Sequence, residues 1–103
     1  MIRGEFPLTK TESINVHRQR CTVKLDVNNE RAKLTLGTPE HRLHIERTQL
    51  EPVISILDSA YAFRQVFPEL KPRFQEPIRT AALRIARRAM EELAMARIGG
   101  GWR

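Results

Sequence analysis

A single cysteine, Cys21, is the only thiol in this chain, so no internal disulfide can form and nothing points to an oxidising compartment. Long apolar runs are also missing. No stretch approaches the length of a membrane span, and the N-terminus lacks the apolar core of a signal peptide. Together these absences lead us to expect a cytoplasmic protein. Aromatic residues make up only 6% of the chain, which leaves little from which to build a base-stacking surface. Glycine is scarce outside Gly99-Gly100-Gly101, and there is no glycine-rich phosphate loop.

Of the two charges, acid is the scarcer: 12 acidic residues face 18 basic ones, for a net charge of +6 and a pI near 10.4. Divided after Arg47, each part holds nine basic and six acidic residues, so the excess is not confined to a tail. Such a distribution fits a surface with general attraction for phosphate or acidic proteins. At 103 residues the chain is one domain, long enough for a modest core.

The clearest pattern is Arg20–Leu36. Cys21, Val23, Leu25 and Val27 alternate with Arg20, Thr22, Lys24 and Asp26, and Ala32, Leu34 and Leu36 alternate with Arg31, Lys33 and Thr35. Period-two alternation marks a half-buried antiparallel sheet. Asn28-Asn29 suits a tight turn between the two strands. A two-residue turn there sets Leu25 opposite Ala32, Val23 opposite Leu34 and Cys21 opposite Leu36. On the outer face it sets Lys24 against Lys33, an unfavourable pair that hints at an acidic partner.

Ser13–His17 alternates before this hairpin and His41–Glu46 after it, with Ile14, Val16, Leu43 and Ile45 facing in. Gly37-Thr38-Pro39-Glu40 is a turn, and a tight one places Leu43 opposite Leu34 and Ile45 opposite Ala32. Thr48-Gln49-Leu50-Glu51 has capping-box spacing and predicts a helix start. Leu50, Val53, Ile54, Leu57, Ala60 and Tyr61 form its apolar stripe, and Ile56, Phe63 and Phe67 widen it beyond what one sheet face needs. Pro68 and Pro72 stop this helix, and a second runs from about Glu76-Pro77 to Ile98. The expected architecture is α+β: an arm over residues 1–12 and one domain over 13–98, followed by a tail over 99–103. The domain comprises a four-stranded antiparallel meander (13–47) and two C-terminal helices (48–66 and 76–98), both packed on one face of the sheet.

Candidate chemistry is sparse. His41 and His44, three apart on an expected strand, point to opposite faces and cannot converge on a metal. Cys21 faces inward and reads as a packed core thiol. No two carboxylates share a pocket wall, so neither an enzyme nor a cofactor site is expected. What remains is cationic surface. Lys24, Lys33, Arg42 and His44 share the outer sheet face, Arg20 extends it, and Arg79, Arg84, Arg87 and Arg88 form a second strip on the last helix. Such groups bind phosphates without reading bases, so DNA or RNA is the expected partner. A solvated charged face is the plain alternative for both strips. A homodimer is expected, and the competing expectation is a protein-only adaptor or assembly subunit with an acidic protein as its partner. It would use Ile56, Phe63 and Phe67 with the small-residue seam Ala82, Ala86 and Ala89, and Trp102 as a possible anchor.

Over about Ser13–Ala62, four short strands leading through Leu43-His44-Ile45…Thr48…Leu50 into a helix resemble the topology of the small single-stranded-DNA-binding transcriptional coactivators. That resemblance implies, at the level of fold alone, a nucleic-acid-facing sheet and a dimer formed through the helix. The chain departs from it in having no aromatic on the sheet and in carrying a further helix.

Overall fold

The computed structural model describes residues 8–28 and 30–96. Phe6 of the expected arm, Trp102 of the tail and the expected helix end at Ile98 lie outside them. Four antiparallel strands, β1 (Leu8–Val16), β2 (Gln19–Val27), β3 (Ala32–Gly37) and β4 (Arg42–Arg47), form one sheet in the order β1-β2-β3-β4. Three helices follow, α1 (Leu50–Leu57), α2 (Ala60–Val66) and α3 (Pro72–Met95); α1 and α3 pack on one side of the sheet, and α2 packs against both of them. The architecture is α+β, with a meander followed by helices; there is one helix more than expected.

The first strand begins at Leu8, five residues ahead of the expected start, and pairs with β2 along its whole length, from Leu8↔Val27 to Val16↔Gln19. Its helix-facing positions are Leu8, Lys10, Glu12, Ile14 and Val16, so two charges interrupt the apolar alternation. They are accommodated because α3 answers them: Lys10 pairs with Glu92, and Glu12 with Arg84. Charges turned inward on an edge strand also oppose pairing with another chain's edge. At the β1–β2 turn, His17 and Arg18 hold φ of 51° and 66°. Positive φ at both central residues is the two-residue hairpin geometry whose twist matches that of the strands.

The other two connections are one pair of residues longer than expected, and the register corrects accordingly. Val27 pairs with Ala32, Leu25 with Leu34 and Val23 with Leu36. Leu34 pairs with Ile45 and Leu36 with Leu43. In both loops the first residue makes the turn. Asn28 Oδ1 accepts from the Glu30 and Arg31 amides at 2.8 and 3.0 Å, while the Asn28 amide donates to Arg31 O at 3.0 Å. Thr38 Oγ1 accepts from the Glu40 and His41 amides at 3.2 and 3.0 Å, and the Thr38 amide donates to His41 O at 2.9 Å. These side-chain-to-backbone bonds draw four residues into each loop. A shift of two positions keeps side-chain parity, so the buried set is unchanged. What changes is the outer face: Lys24 now lies opposite Thr35, and Lys33 opposite Asp26.

The expected single helix over 48–66 is broken at Asp58-Ser59. Ser59 is extended and caps α2, its Oγ accepting from the Ala62 amide at 3.1 Å. The Thr48 capping box does not form; Gln49 is the N-cap and makes no side-chain cap bond. The last helix starts at Pro72, four residues before the expected start. Lys71, extended as a residue before proline must be, is its N-cap, and Pro72 occupies the first turn, where no N–H is needed. Gln75, buried at the helix start, donates to Phe67 O at 3.1 Å and to Leu70 O at 2.9 Å, tying the α2–α3 connection to α3.

One core joins the two layers. Cys21, Val23, Leu25, Leu34 and Leu36 from the sheet meet Val53, Leu57, Phe63, Phe74, Ile78 and Ile85 from the helices. Ala81, Ala82, Ala86 and Ala89 are all buried, and α3 lies closely over β1 and β2. No helix among the described residues is long and apolar enough to cross a membrane.

Candidate polyanion-binding face

The sheet's outer face carries only strand side chains, because all three helices lie on the other side. From the end holding Leu8 to the end holding Val16, the pairing arranges them in rows. The lowest row is Thr9–Asp26–Lys33–Glu46, and the next is Thr11–Lys24–Thr35–His44. Above it lies Ser13–Thr22–Gly37–Arg42, and at the top Asn15–Arg20.

Charge is divided along this axis. The lowest row neutralises itself: Lys33 lies between Asp26 and Glu46, Thr9 Oγ1 donates to Asp26 Oδ1 at 2.8 Å, and Arg31 bonds Glu46 at 3.1 Å. The three rows above hold Lys24, Arg42 and Arg20 with no acid among them. All three are exposed, and among the described residues none makes an ion pair. His44 stands in Lys24's row, and apart from Gly37 hydroxyl and amide side chains fill the remaining positions. The turn residues His17 and Arg18 sit just beyond Arg20, and His41 lies in the β3–β4 loop. The sequence expectation placed Arg20, Lys24, Arg42 and His44 on this face, where they are found. Lys33 is the exception, balanced by the carboxylates that the two-residue register shift brings beside it. His17, expected to face outward at the end of the first strand, is instead a turn residue with Arg18, and neither was among the expected site residues.

The second cationic strip takes another form. Arg79 donates to Glu76 at 2.8 and 3.0 Å and to Leu57 O at 2.8 Å, closing the C-terminal end of α1. Its hydrogen bonds hold the Glu76 carboxyl below the usual carboxylate range. Arg84 is bound to Glu12 and Arg87 to Asp58, the latter at 3.2 Å. These three arginines fasten α3 to α1 and β1, and only Arg88 is exposed with no ion pair among the described residues.

The expected interface residues are mostly interior. Phe63, Phe67, Ala82, Ala86 and Ala89 are buried within the chain, with Phe63 and Phe67 in tilted contact at 5.1 Å between ring centroids. Ile56 is half-buried. Leu50, Val53, Leu57, Phe63 and Phe67 of the wide apolar arc are buried. Tyr61, expected on the buried stripe, is 69% exposed, because the break at Asp58-Ser59 re-aims α2 so that Phe63 faces inward. Cys21 is fully buried, and burial pushes its thiol pKa up, away from nucleophilic chemistry. Among the described residues no three metal-binding side chains converge. Compared with known protein families, curated proteins and solved structures, the chain matches none.

Proposed function

We propose that this protein is a non-catalytic binding protein that lays a polyanion, most simply a single nucleic-acid strand, against the upper part of its outer sheet face. The observation that carries the reading is the segregation of charge: Arg20, Lys24 and Arg42 share three consecutive rows without an acid, on the face opposite the helices. Contact there is to phosphates. The face has no aromatic on which bases could stack, so attraction is largely independent of sequence and sensitive to salt.

Three phosphate contacts on a single strand predict a slope of about −2 in log K against log salt, or roughly a 20-fold loss of affinity between 50 and 200 mM. Titration of a random-sequence oligonucleotide by fluorescence anisotropy over that range measures it. Reversing the three charges together (Arg20→Glu, Lys24→Glu, Arg42→Glu) should abolish binding while the fold persists, since all three side chains are exposed. A salt-independent affinity, or one untouched by the triple reversal, would rule the reading out.

A further inference from the structure

Gly37 is the last residue of β3 and faces outward, flanked across the sheet by Thr22 on β2 and Arg42 on β4. Its backbone does not require glycine, since no glycine among the described residues has positive φ. Space is what distinguishes the position. A Cβ built there would lie 2.7 Å from Thr22 Oγ1, so the Thr22 hydroxyl leans over bare backbone. Where no side chain stands on the backbone, a ligand can approach the chain closely, and here that bare stretch is the end of β3.

The surroundings of this notch suit an anion. Arg20, Thr22, Gly37, Thr38, Pro39, Glu40, His41 and Arg42 line one shallow recess. Arg42 lies one strand from Gly37 on one side and Thr22 one strand away on the other, with Arg20 two residues along β2 from Thr22. At about 4.8 Å between strands and about 6.8 Å per residue pair along a strand, both guanidinium groups reach a group seated above Gly37. The acid in the recess, Glu40, is paired with Lys71 at 2.9 Å. That leaves two forked donors and a hydroxyl within reach of one site, and among the described residues neither arginine is paired with the recess's single carboxylate.

Resting on the reading above, we infer that the Gly37 notch is a discrete subsite for one phosphate group of the bound strand, gripped by Arg20 and Arg42 with the Thr22 hydroxyl donating from its floor. Arginine forks bind phosphate oxygens in paired fashion. One held phosphate would fix where the strand sits, while Lys24 supplies diffuse attraction.

The test uses the full chain, labelled with 15N and titrated with inorganic phosphate at constant ionic strength. The expected result is saturable movement of the Thr22, Gly37 and Thr38 amides. Gly37→Ala, which fills the notch without altering charge, should weaken that response at least tenfold. It should also lower the oligonucleotide salt slope by about 0.7, the loss of one phosphate contact. Should Gly37→Ala lose its dispersed spectrum, Arg42→Gln carries the same expectation from the exposed edge strand. Unsaturable or scattered shifts in the wild type, or an unchanged phosphate response in the folded variant, would overturn the subsite. The two readings fail separately. Salt-sensitive oligonucleotide binding that ignores Gly37→Ala and Arg42→Gln removes the notch alone, whereas a specific phosphate response without oligonucleotide binding removes the strand.

Discussion

Glu12 is an acid on the helix-facing side of an edge strand, and Arg84 is what allows it to stay there. The guanidinium bonds both carboxylate oxygens and holds the Glu12 pKa below its ordinary 4.5. A carboxyl lowered in the folded state binds protons more readily when unfolded, so stability must fall as pH falls. Above 4.5 the contribution is complete, and it disappears as the pH drops through the lowered folded value. The pair is partly exposed and screened, so its worth is at most about 1 kcal/mol. Glu12→Gln should therefore cost about that much at pH 7 and progressively less as the pH falls below 4.5, read from urea denaturation at pH 7 and at acidic pH. A loss that does not shrink with falling pH would mean that packing, not charge, holds the position. Lys10 with Glu92 repeats the device one turn of strand away. Neither pair could be read from sequence, because period-two patterning treats Lys10 and Glu12 as a break in the strand. Only the position of α3 makes them inward-facing residues with partners.

At the scale of elements, turns and caps decide geometry that hydrophobic pattern leaves open. Alternation identified the buried faces of β2, β3 and β4 correctly, yet it cannot distinguish registers that differ by two residues. Asn28 and Thr38 settle that choice through bonds to the third and fourth residues of their loops. The Ser59 cap likewise splits one expected helix into two and sends Phe63 inward. The β1–β2 turn gives up stability in the same way that the loops gain it. Left-handed backbone at a non-glycine residue costs about 1–2 kcal/mol, and Arg18 holds φ at 66°. Arg18→Gly should raise the free energy of unfolding by about 1 kcal/mol. If Arg18 adds to the polyanion field, the same substitution should weaken oligonucleotide binding at low salt. Loss of stability on Arg18→Gly would show that its side chain is structural.

Across the molecule's described residues, two layers place every helix on one side, and none of these residues covers the outer sheet face. The shortest dimension, 17 Å, leaves no room for a third layer. On that face charge separates along the strands, which the net charge of +6 did not foretell. Lysines with similar sequence surroundings should therefore behave differently. Lys24→Gln should lower the salt slope of oligonucleotide binding by about 0.7, while Lys33→Gln, set between Asp26 and Glu46, should leave it unchanged. Equal effects from the two would mean that the rows do not organise the field.

The chain's own pattern determined the α+β architecture, the buried faces of the three later strands and the presence of Arg20, Lys24, Arg42 and His44 on the opposite face. Each follows from local periodicity, where side-chain direction is set by the backbone alone. The tertiary structure decided which charges cancel, because cancellation needs the register and the placement of α3. It committed Arg79, Arg84 and Arg87 to neighbouring elements and drew Phe63, Phe67 and the alanine seam into the interior. Contacts between residues distant in the chain, such as Glu12 with Arg84, depend on how the layers close, and no short-range pattern encodes them.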